Sequence, residues 1–360
     1  MAVASPPSAE TAGAVRLPGG PEFEPAALEL YLRAALDIAS GGFALERVSG
    51  GQSNPTFFVT LGPRRLVLRK KPAGDVLPSA HAVDREFRVI TALAQTNVPV
   101  PHAALYCADI SVVGTPFYVM DRLEGRVFHD AALPGVPPAE RTAMYFAMAE
   151  TLAKLHDVDP DAIGLADYGR AGNYFERQIR RWTSQYELAK WRDLPDLDHI
   201  IAWLPDHLPP EEPTRICHGD FRIGNLMFHP SEPRVIGVLD WELSTLGQPL
   251  ADVAFSALGW STTPDEYGGL VGLDHAAMGI PRRRDYLAHY FANRTTPAPN
   301  PVEPFHTIFA LFRFAVIFEG IAARARAGSA AAANAAAVGE LAPVFARRAV
   351  ETIQSVPGLA

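Results

Sequence analysis

The sequence has little of what marks a disulfide-bonded, metal-cluster or nucleic-acid-binding protein. It contains two cysteines, Cys107 and Cys217, which are far apart and form no CxxC pair. They are therefore expected to be buried thiols in a reducing compartment. Acidic residues outnumber basic ones by 40 to 32, which gives a net charge of −8. Because binding the phosphate backbone of nucleic acid requires a basic face, nucleic acid is excluded as the main partner.

The sequence also lacks an apolar run long enough to cross a membrane. Its most apolar stretch, residues 305–321, is interrupted by Arg313 and Glu319, which favours a buried helix over a membrane span. The first 20 residues are rich in Ala, Pro, Gly and Ser and have no apolar core of signal-peptide length. We therefore predict a disordered tail over residues 1–22, a cytoplasmic protein and no membrane partner.

The central stretch, residues 216–242, places polar side chains at the ends of short apolar runs. It consists of Ile-Cys-His-Gly-Asp-Phe-Arg-Ile-Gly-Asn-Leu-Met-Phe and, after a polar turn, Val-Ile-Gly-Val-Leu-Asp-Trp-Glu. The apolar runs are typical of strands, and the polar side chains are those of Asp220, Asn225 and Asp240. A chain of 360 residues, 48% of them hydrophobic, can bury a core that holds these groups still and commonly divides into two lobes.

These three side chains match what phosphoryl transfer requires of a protein. Magnesium prefers oxygen ligands and takes only one or two carboxylates from the protein, and Asn225 and Asp240 can supply such ligands. Asp220, five residues before Asn225, can lie beside an incoming hydroxyl and accept its proton. Alone, Asp220 could be a turn former and Asp240 a strand-end cap. It is the combination that indicates a phosphoryl-transfer site.

A glycine-rich segment near the N-terminus could cover phosphate groups. Strand-like residues 47–49 and 56–59 flank Gly50-Gly51-Gln52-Ser53-Asn54-Pro55, a pattern that predicts a hairpin. Glycines let the backbone approach a ligand closely, and the Ser53 hydroxyl and nearby amides could donate to phosphate oxygens. An ordinary hairpin turn is the other interpretation of the same residues.

The next elements supply a cation and a carboxylate that could hold it. A third strand, residues 65–69, ends in Arg69, and Lys71 follows just past its end. Either cation could reach a phosphate, although a solvated edge strand that ends in basic residues has the same pattern. Residues 82–94 have helical apolar spacing, and Glu86 in this helix could point back at the cation. The alternative is an exposed helix carboxylate.

A later helix has an apolar face and an excess of positive charge. The apolar residues follow a helical spacing after a possible cap at Asn173; they are Phe175, Ile179, Trp182 and Tyr186. The basic residues nearby are Arg177, Arg180, Arg181, Lys190 and Arg192. With three acidic residues between Asn173 and Asp193, the segment is either a solvated helix face or a patch for a negatively charged substrate.

The motifs together identify a resemblance to a known family. His218-Gly-Asp-Phe-Arg-Ile-Gly-Asn225 and Leu239-Asp-Trp-Glu242 resemble the aminoglycoside phosphotransferase (APH) and choline kinase-like branch of the protein-kinase fold. Residues 49–56, 67–72 and 79–86 are similar to the kinase-like domain that some larger eukaryotic proteins carry fused to an acyl-CoA dehydrogenase. The resemblance implies an α+β, protein-kinase-like bilobal fold. We expect a small N-terminal nucleotide-binding lobe with an antiparallel sheet over residues 23–122 and a larger, mainly helical catalytic and substrate-binding lobe over residues 123–360.

The resemblance also implies a role for each candidate residue. Asp220 would be the catalytic base, and Asn225 and Asp240 the magnesium ligands. The phosphate-covering loop would consist of Gly51, Gln52, Ser53 and Asn54. Glu86 would hold the phosphate-contacting cation, the backbone of Asp121 and Leu123 would meet the adenine of ATP, and Asp252 would brace the catalytic loop.

Two departures from protein kinases affect the prediction. Arg69 stands where kinases carry a lysine, so Arg69 is predicted to contact the phosphates, with Lys71 as the alternative. Gly219 stands where protein kinases carry an arginine, as in the small-molecule branch, so no protein substrate is expected.

The predicted function is that of an ATP- and magnesium-dependent kinase that phosphorylates a hydroxyl of a small molecule, in a monomer or homodimer. Aminoglycosides are polycations, whereas the candidate substrate helix is net basic. We therefore expect an anionic hydroxylated metabolite, such as a hydroxyacyl thioester, rather than an antibiotic. The alternative is a nucleotide-binding pseudokinase that acts as a regulatory or scaffold module.

Overall fold

The computed structural model describes residues 23–48, 54–73, 82–296, 300–328 and 334–356. Its strands are β1 (Phe43–Arg47), β2 (Thr56–Leu61), β3 (Arg64–Lys70), β4 (Ala103–Cys107), β5 (Phe117–Asp121), β6 (Arg126–Val127), β7 (Arg215–Cys217), β8 (Leu226–Phe228), β9 (Val235–Val238) and β10 (Thr245–Gly247). Its α-helices are α1 (Pro25–Ala35), α2 (Val83–Leu93), α3 (Ile110–Val113), α4 (Pro138–Asp157), α5 (Tyr174–Ala189), α6 (Pro195–Trp203), α7 (Pro249–Ser256), α8 (His275–Met278), α9 (Arg283–Ala292), α10 (Pro304–Arg326), α11 (Ala335–Gly339) and α12 (Leu341–Ser355).

The chain forms two compact units. Among the described residues, the first unit contains 23–127, 163–165 and 225–243, and the second contains 128–162, 166–224 and 244–356. Antiparallel sheets dominate the first unit and helices the second. The predicted α+β fold, with an antiparallel sheet in its N-terminal part and a mainly helical C-terminal part, is confirmed.

The main sheet of the first unit has the order β1-β2-β3-β5-β4, and all its pairings are antiparallel. Residues alternate between the two faces of a strand, and the odd residues of β2 and the even residues of β3 pack with Leu28 and Leu32 of α1 in one apolar core. The opposite face of β3 carries Arg69, whose partner across the ladder is Tyr118 of β5. Alternation therefore turns Arg69 away from the α1 core.

Helix α2 buries one face, and a carboxylate lies in the middle of that face. Its buried residues recur at helical spacing; they are Val83, Glu86, Val89, Ile90, Ala92 and Leu93. Glu86 is 0% exposed, so the interpretation as an exposed helix carboxylate is wrong. A buried carboxylate requires partners, and these define the candidate site described below.

A second antiparallel sheet of the first unit contains the hairpin of β8 and β9, with the order β6-β8-β9. Leu226 pairs with Val238 at one end of this hairpin. Asn225 directly precedes β8 and Asp240 follows β9, so the antiparallel arrangement brings both residues to the same end of the sheet.

The second unit is built around α10. This helix packs against α5, α6, α7 and α12 through one apolar cluster. Glu319 in this helix is fully buried, and Arg192 pairs with it at 2.9 Å. In the described part of the chain, no helix is both long and apolar enough to span a membrane.

Local backbone geometry sets two helix ends in the second unit. Helices α11 and α12 are separated at Glu340. Gly339 ends α11 in close contact with α10, since a Cβ there would lie 2.5 Å from the Cβ of Ala322. Asn173 precedes α5 in a left-handed conformation with a φ of 47°, and its side chain makes no capping hydrogen bond.

Candidate functional site

The first unit contains a buried carboxylate held by three donors. Glu86 accepts hydrogen bonds from Asn54 Nδ2 at 2.6 Å and from the Tyr118 hydroxyl at 3.0 Å. Arg69 Nη1 lies 3.3 Å from Glu86 Oε2. The predicted pairing of the β3 cation with the helix carboxylate is therefore present in the structure, and the strand and helix that carry them are fixed to each other.

The second terminal nitrogen of the Arg69 guanidinium binds another carboxylate. Its Nη2 donates to Asp240 Oδ1 at 3.0 Å, so one planar fork joins Glu86 to Asp240. A lysine has a single ammonium and no such fork. The side chain of Arg69 is 12% exposed, and its buried Nε has no hydrogen-bond partner among the residues that the structure describes. The arginine is thus strongly held while retaining an unused donor.

Burial and charge act in opposite directions on this pair. Burial would lower the pKa of Arg69, but the neighbouring carboxylates of Glu86 and Asp240 outweigh it and raise its pKa. Burial raises the pKa of Glu86, while the charge of Arg69 and the hydrogen bonds from Tyr118 and Asn54 oppose that rise. The guanidinium stays charged, and the stability of the ionised carboxylate depends on it.

Asn225 and Asp240 form an oxygen-rich end of the β8–β9 hairpin. The Leu239 amide donates to the Asn225 carbonyl at 2.9 Å, which ties the residue before Asp240 to Asn225. Asp240 has a φ of 65°, a left-handed conformation that non-glycine residues adopt rarely and that clusters at functional positions. Its side chain is 35% exposed. One carboxylate and one amide oxygen suit magnesium, which leaves its other positions to phosphate and water.

The loop that carries Asp220 belongs to the second unit and is held from both sides. Asp252 of α7 accepts hydrogen bonds from the backbone N–H groups of His218 and Gly219. Arg313 Nη2 donates to the Gly219 carbonyl at 2.9 Å. Gly219 has a φ of 83°, which favours glycine because it has no Cβ. Gly219, the residue immediately before Asp220, is therefore held through both its N–H group and its carbonyl.

Asp220 itself continues this ordered loop. Its amide donates to His218 Nδ1 at 3.2 Å, and its carboxylate lies 3.3 Å from Arg222 Nε. The carboxylate is 21% exposed. It is therefore reachable from solvent although its backbone is fixed.

A buried histidine completes the support behind this loop. His156 at the end of α4 lies 3.5 Å from Asp252, and its Nδ1 is 2.8 Å from the Tyr290 hydroxyl. Burial opposes ionisation of Asp252, but hydrogen bonds and nearby histidines prevail and lower its pKa. Burial lowers the pKa of His156.

Cys217 lies beside His156 and Asp252, with the three donor atoms within 4.8 Å of one another. Burial raises the pKa of Cys217 well above its ordinary value, which disfavours the thiolate that a metal would need. Both backbone amides bonded to Asp252 also compete for its oxygens. The group therefore fits a structural brace better than a metal centre.

The segment predicted to meet adenine follows β5. The Asp121 carboxylate pairs with Arg64 and with His102 Nδ1, the latter at 3.2 Å. The Asp121 amide donates to the His102 carbonyl at 2.9 Å. Two residues later, the Leu123 amide has no hydrogen-bond acceptor in the described part of the chain, and it can therefore bond to a ligand.

The remaining predicted residues fall into two groups. Gly51, Gln52 and Ser53 lie outside the described residues. Asn54 is 3% exposed, and its side-chain amide donates a hydrogen bond to Glu86. Lys71 is half-buried, its amide donates to the Pro116 carbonyl at 2.9 Å, and its carbonyl accepts from Thr115 Oγ1 at 2.7 Å. Of the two candidate cations, it is Arg69 that the structure brings together with Glu86.

Sequence reasoning missed two residues of this arrangement. Tyr118 lies in an apolar strand and looked like ordinary core, yet its hydroxyl contacts Glu86. In the sequence, Arg313 is only an interruption of an apolar helix, yet it donates to the carbonyl of Gly219, the residue before Asp220. The signal for Arg313 was available, because a charge inside an otherwise apolar helix must find a partner.

Known proteins share this sequence and architecture. The family model described as phosphotransferase enzyme family, APH, matches residues 44–298. Mouse (Mus musculus) acyl-CoA dehydrogenase family member 10 is 44% identical over 88% of the chain, and the chain spans 30% of the length of that protein.

Solved structures of phosphotransferases have the same fold. A candidate aminoglycoside phosphotransferase from Ralstonia eutropha has a TM-score of 0.83 at 44% identity, covering 92% of this chain and 98% of its own. The fold is also that of a thermostable aminoglycoside phosphotransferase APH(4)-Ia bound to ADP and hygromycin B, with a TM-score of 0.58 at 15% identity, 89% coverage of this chain and 98% of the other. The predicted resemblance is confirmed, and the chain belongs to the APH phosphotransferase enzyme family.

Proposed function

We propose that the protein is an ATP- and magnesium-dependent kinase that transfers the γ-phosphate to a hydroxyl of a small molecule. The observation that carries this proposal is the fork of Arg69 between Glu86 and Asp240. It holds a permanent cation beside a carboxylate suited to magnesium. Phosphoryl transfer depends mainly on such positioned positive charge.

In this proposal the first unit binds the nucleotide. Arg69 contacts the phosphates, the Asp121 and Leu123 backbone binds the adenine, and the loop of residues 51–54 covers the phosphates. Asn225 and Asp240 would hold magnesium, which would neutralise charge on the phosphates when bound. The ADP named for the APH(4)-Ia structure supports the use of an adenine nucleotide.

Asp220 is the proposed catalytic base. Its role is to orient the acceptor hydroxyl and to take its proton as the new O–P bond forms. Asp252 and Arg313 fix the preceding residue, Gly219, which limits the positions that the carboxylate can take. That order supports a reacting group more than a passive turn.

For the acceptor we propose an anionic hydroxylated metabolite, such as a hydroxyacyl thioester. The name of the mouse relative, an acyl-CoA dehydrogenase family member, supports an acyl compound. A cytoplasmic location and a monomeric or homodimeric state belong to the same proposal.

The test compares wild type with Asp220→Ala for ADP release from Mg-ATP across a panel of hydroxylated metabolites. Asp161→Ala, at an exposed position, is the matched control. We expect Mg-ATP to raise the melting temperature of all three proteins. Asp220→Ala should lose about 10²- to 10⁴-fold in kcat, while Asp161→Ala should keep wild-type activity.

The outcomes separate the alternatives. Robust turnover by Asp220→Ala would overturn the assignment of the base. Mg-ATP binding by wild type without ADP release for any acceptor would favour a nucleotide-binding regulatory module. A melting temperature that does not respond to Mg-ATP would contradict the kinase proposal itself.

A further inference from the structure

Three of the five basic residues predicted on or near α5 have partners within the protein. Arg177 donates to the carbonyl of Arg170 at 2.6 Å, and Lys190 pairs with Asp198 at 3.0 Å. Arg192 pairs with Glu319 at 2.9 Å and also with Glu340. Lys190 and Arg192 are therefore paired with carboxylates, and Arg177 is held by a backbone carbonyl.

Arg181 differs from these cations because it shares an aromatic neighbour with another arginine. Its Cζ lies 5.6 Å from the centre of the Trp182 ring, and the Cζ of Arg313 from α10 lies 5.3 Å from the same ring. In the described parts of the chain, neither guanidinium has a carboxylate within ion-pair distance. Two cations thus share one indole without a counter-charge.

Arg313 is the more constrained of the two. It is 4% exposed, its Nη2 donates to the Gly219 carbonyl, and its buried Nε has no partner among the described residues. Contact with the rings of Trp182 and Phe255 compensates part of the charge. A buried charge that lacks an ionic partner remains costly.

The electrostatics of Arg181 agree with this geometry. Although the residue as a whole is exposed, partial burial of its guanidinium and the like charge of Arg313 lower its pKa. Like charges at close range disfavour each other. An anion that binds both guanidinium groups would offset that repulsion and supply the missing counter-charge.

We propose that Arg181 and Arg313 form an oxyanion subsite of the acceptor site, which binds a carboxylate or phosphate group of the molecule whose hydroxyl is phosphorylated. This inference rests on the proposed kinase function. Planar guanidinium groups suit both anions because they can donate two parallel hydrogen bonds. Because Arg313 also donates to the peptide before Asp220, an anion bound here has a fixed relation to the proposed base.

The oxyanion could come from two sources. A free hydroxy acid has its own carboxylate, whereas a hydroxyacyl-coenzyme A thioester has no free acyl carboxylate and presents the phosphates of its carrier. A primary hydroxyamide of equal chain length lacks both. Hydroxy acids, their coenzyme A thioesters and their primary amides, each with four to eight carbons in the acyl chain, therefore distinguish the sources.

The kinetic test measures kcat and KM with this panel for wild type, Arg181→Ala, Arg181→Lys and Arg180→Ala. Arg180 is exposed on the same helix and is the matched control. We expect Arg181→Ala to lower kcat/KM for the preferred anionic class roughly tenfold to a hundredfold, mainly through KM. Arg181→Lys should recover part of this loss, and the amides should be poor acceptors that respond little.

A second test needs neither nucleotide nor acceptor. The melting temperature is measured in sodium phosphate and in sodium chloride at equal ionic strength. Phosphate should stabilise wild type and Arg180→Ala more than Arg181→Ala. Arg313→Lys, checked for wild-type circular dichroism, should also lose part of the response.

The results that overturn the subsite are specific. If Arg181→Ala lowers kcat/KM equally for acids, thioesters and amides, the arginine does not bind the anionic group of the acceptor. An equal phosphate response in Arg181→Ala and Arg180→Ala would contradict the site even if no acceptor in the panel is turned over. Failure of the kinase proposal alone would leave the phosphate response of wild type intact.

Discussion

Replacing Arg69 by alanine tests the central cluster of the first unit. The substitution leaves the fully buried Glu86 with hydrogen bonds from Asn54 and Tyr118 but without its cation. Removing one partner of a buried ion pair typically costs about 3–5 kcal/mol. For a unit of this size, that corresponds to a fall of roughly 10 °C in melting temperature. The variant should also lose stabilisation by Mg-ATP.

The assay is a double-mutant cycle followed by thermal unfolding. Glu86→Gln in the Arg69→Ala background removes the uncompensated charge, so the double variant should be more stable than Arg69→Ala alone. Arg64→Ala is a control on the same strand, because its partner Asp121 is 39% exposed at the side chain. Its loss should be about 1 kcal/mol or less.

The effect should depend on pH in a defined direction. Burial raises the pKa of Glu86, and loss of Arg69 removes a charge that opposes this rise. A carboxyl group whose folded-state pKa lies above its unfolded value becomes less destabilising as the pH falls and it takes up a proton. The deficit of Arg69→Ala relative to wild type should therefore shrink as the pH is lowered from neutrality through the raised pKa of Glu86.

The reasoning would be refuted if Arg69→Ala were as stable as Arg64→Ala at neutral pH. It would also be refuted if Glu86→Gln brought no recovery in the Arg69→Ala background. Either result would mean that the charge of Glu86 is compensated by its two hydrogen-bond donors alone.

Two further predictions concern supporting residues. Tyr118→Phe removes one hydroxyl donor to a charged group and should cost about 1.5–3 kcal/mol and lower kcat/KM; Tyr106→Phe on the paired strand is the control, and equal effects would contradict the role of Tyr118. Asp252→Ala leaves two backbone amides without an acceptor and should cost about 2–5 kcal/mol and most of kcat. The lowered pKa of Asp252 means that its stabilisation is present above about pH 4 and lost as the pH falls through its folded-state value. Wild type should therefore lose more stability in acid than Asp252→Ala, and parallel acid-unfolding curves would contradict this.

Local sequence patterns were sufficient where short-range physics decides structure. Alternation in β3 placed Arg69 on one face, and the helical spacing of α2 indicated which residues could be buried. The same patterns could not assign Glu86, because an acidic residue in a helix is usually solvated and only its partners decide otherwise. The same limit applies to Tyr118. Its apolar strand gives no indication that its hydroxyl contacts the carboxylate of Glu86, 32 residues away.

The α5 segment shows the limit for charge patterns. Its excess of basic residues was visible in the sequence, but their partners Asp198, Glu319 and Glu340 lie up to 148 residues away. Once those pairs are formed, Arg181 shares the Trp182 ring with Arg313, a residue of a different helix. Charge counting along the chain cannot separate a neutralised face from an uncompensated pair, because both depend on which distant side chains the fold brings together.

By itself the sequence determined the family and the type of fold, because the motifs around Asp220, Asn225 and Asp240 combine fixed spacings with strand and helix periodicities that are local properties. Tertiary structure alone decided that residues 225–243 belong to the first unit. It also decided that Arg69 joins two carboxylates and that two arginines share the indole of Trp182. The physical reason is that burial and ionic partners are set by long-range packing, which determines whether a charge is solvated, paired or left to bind a ligand.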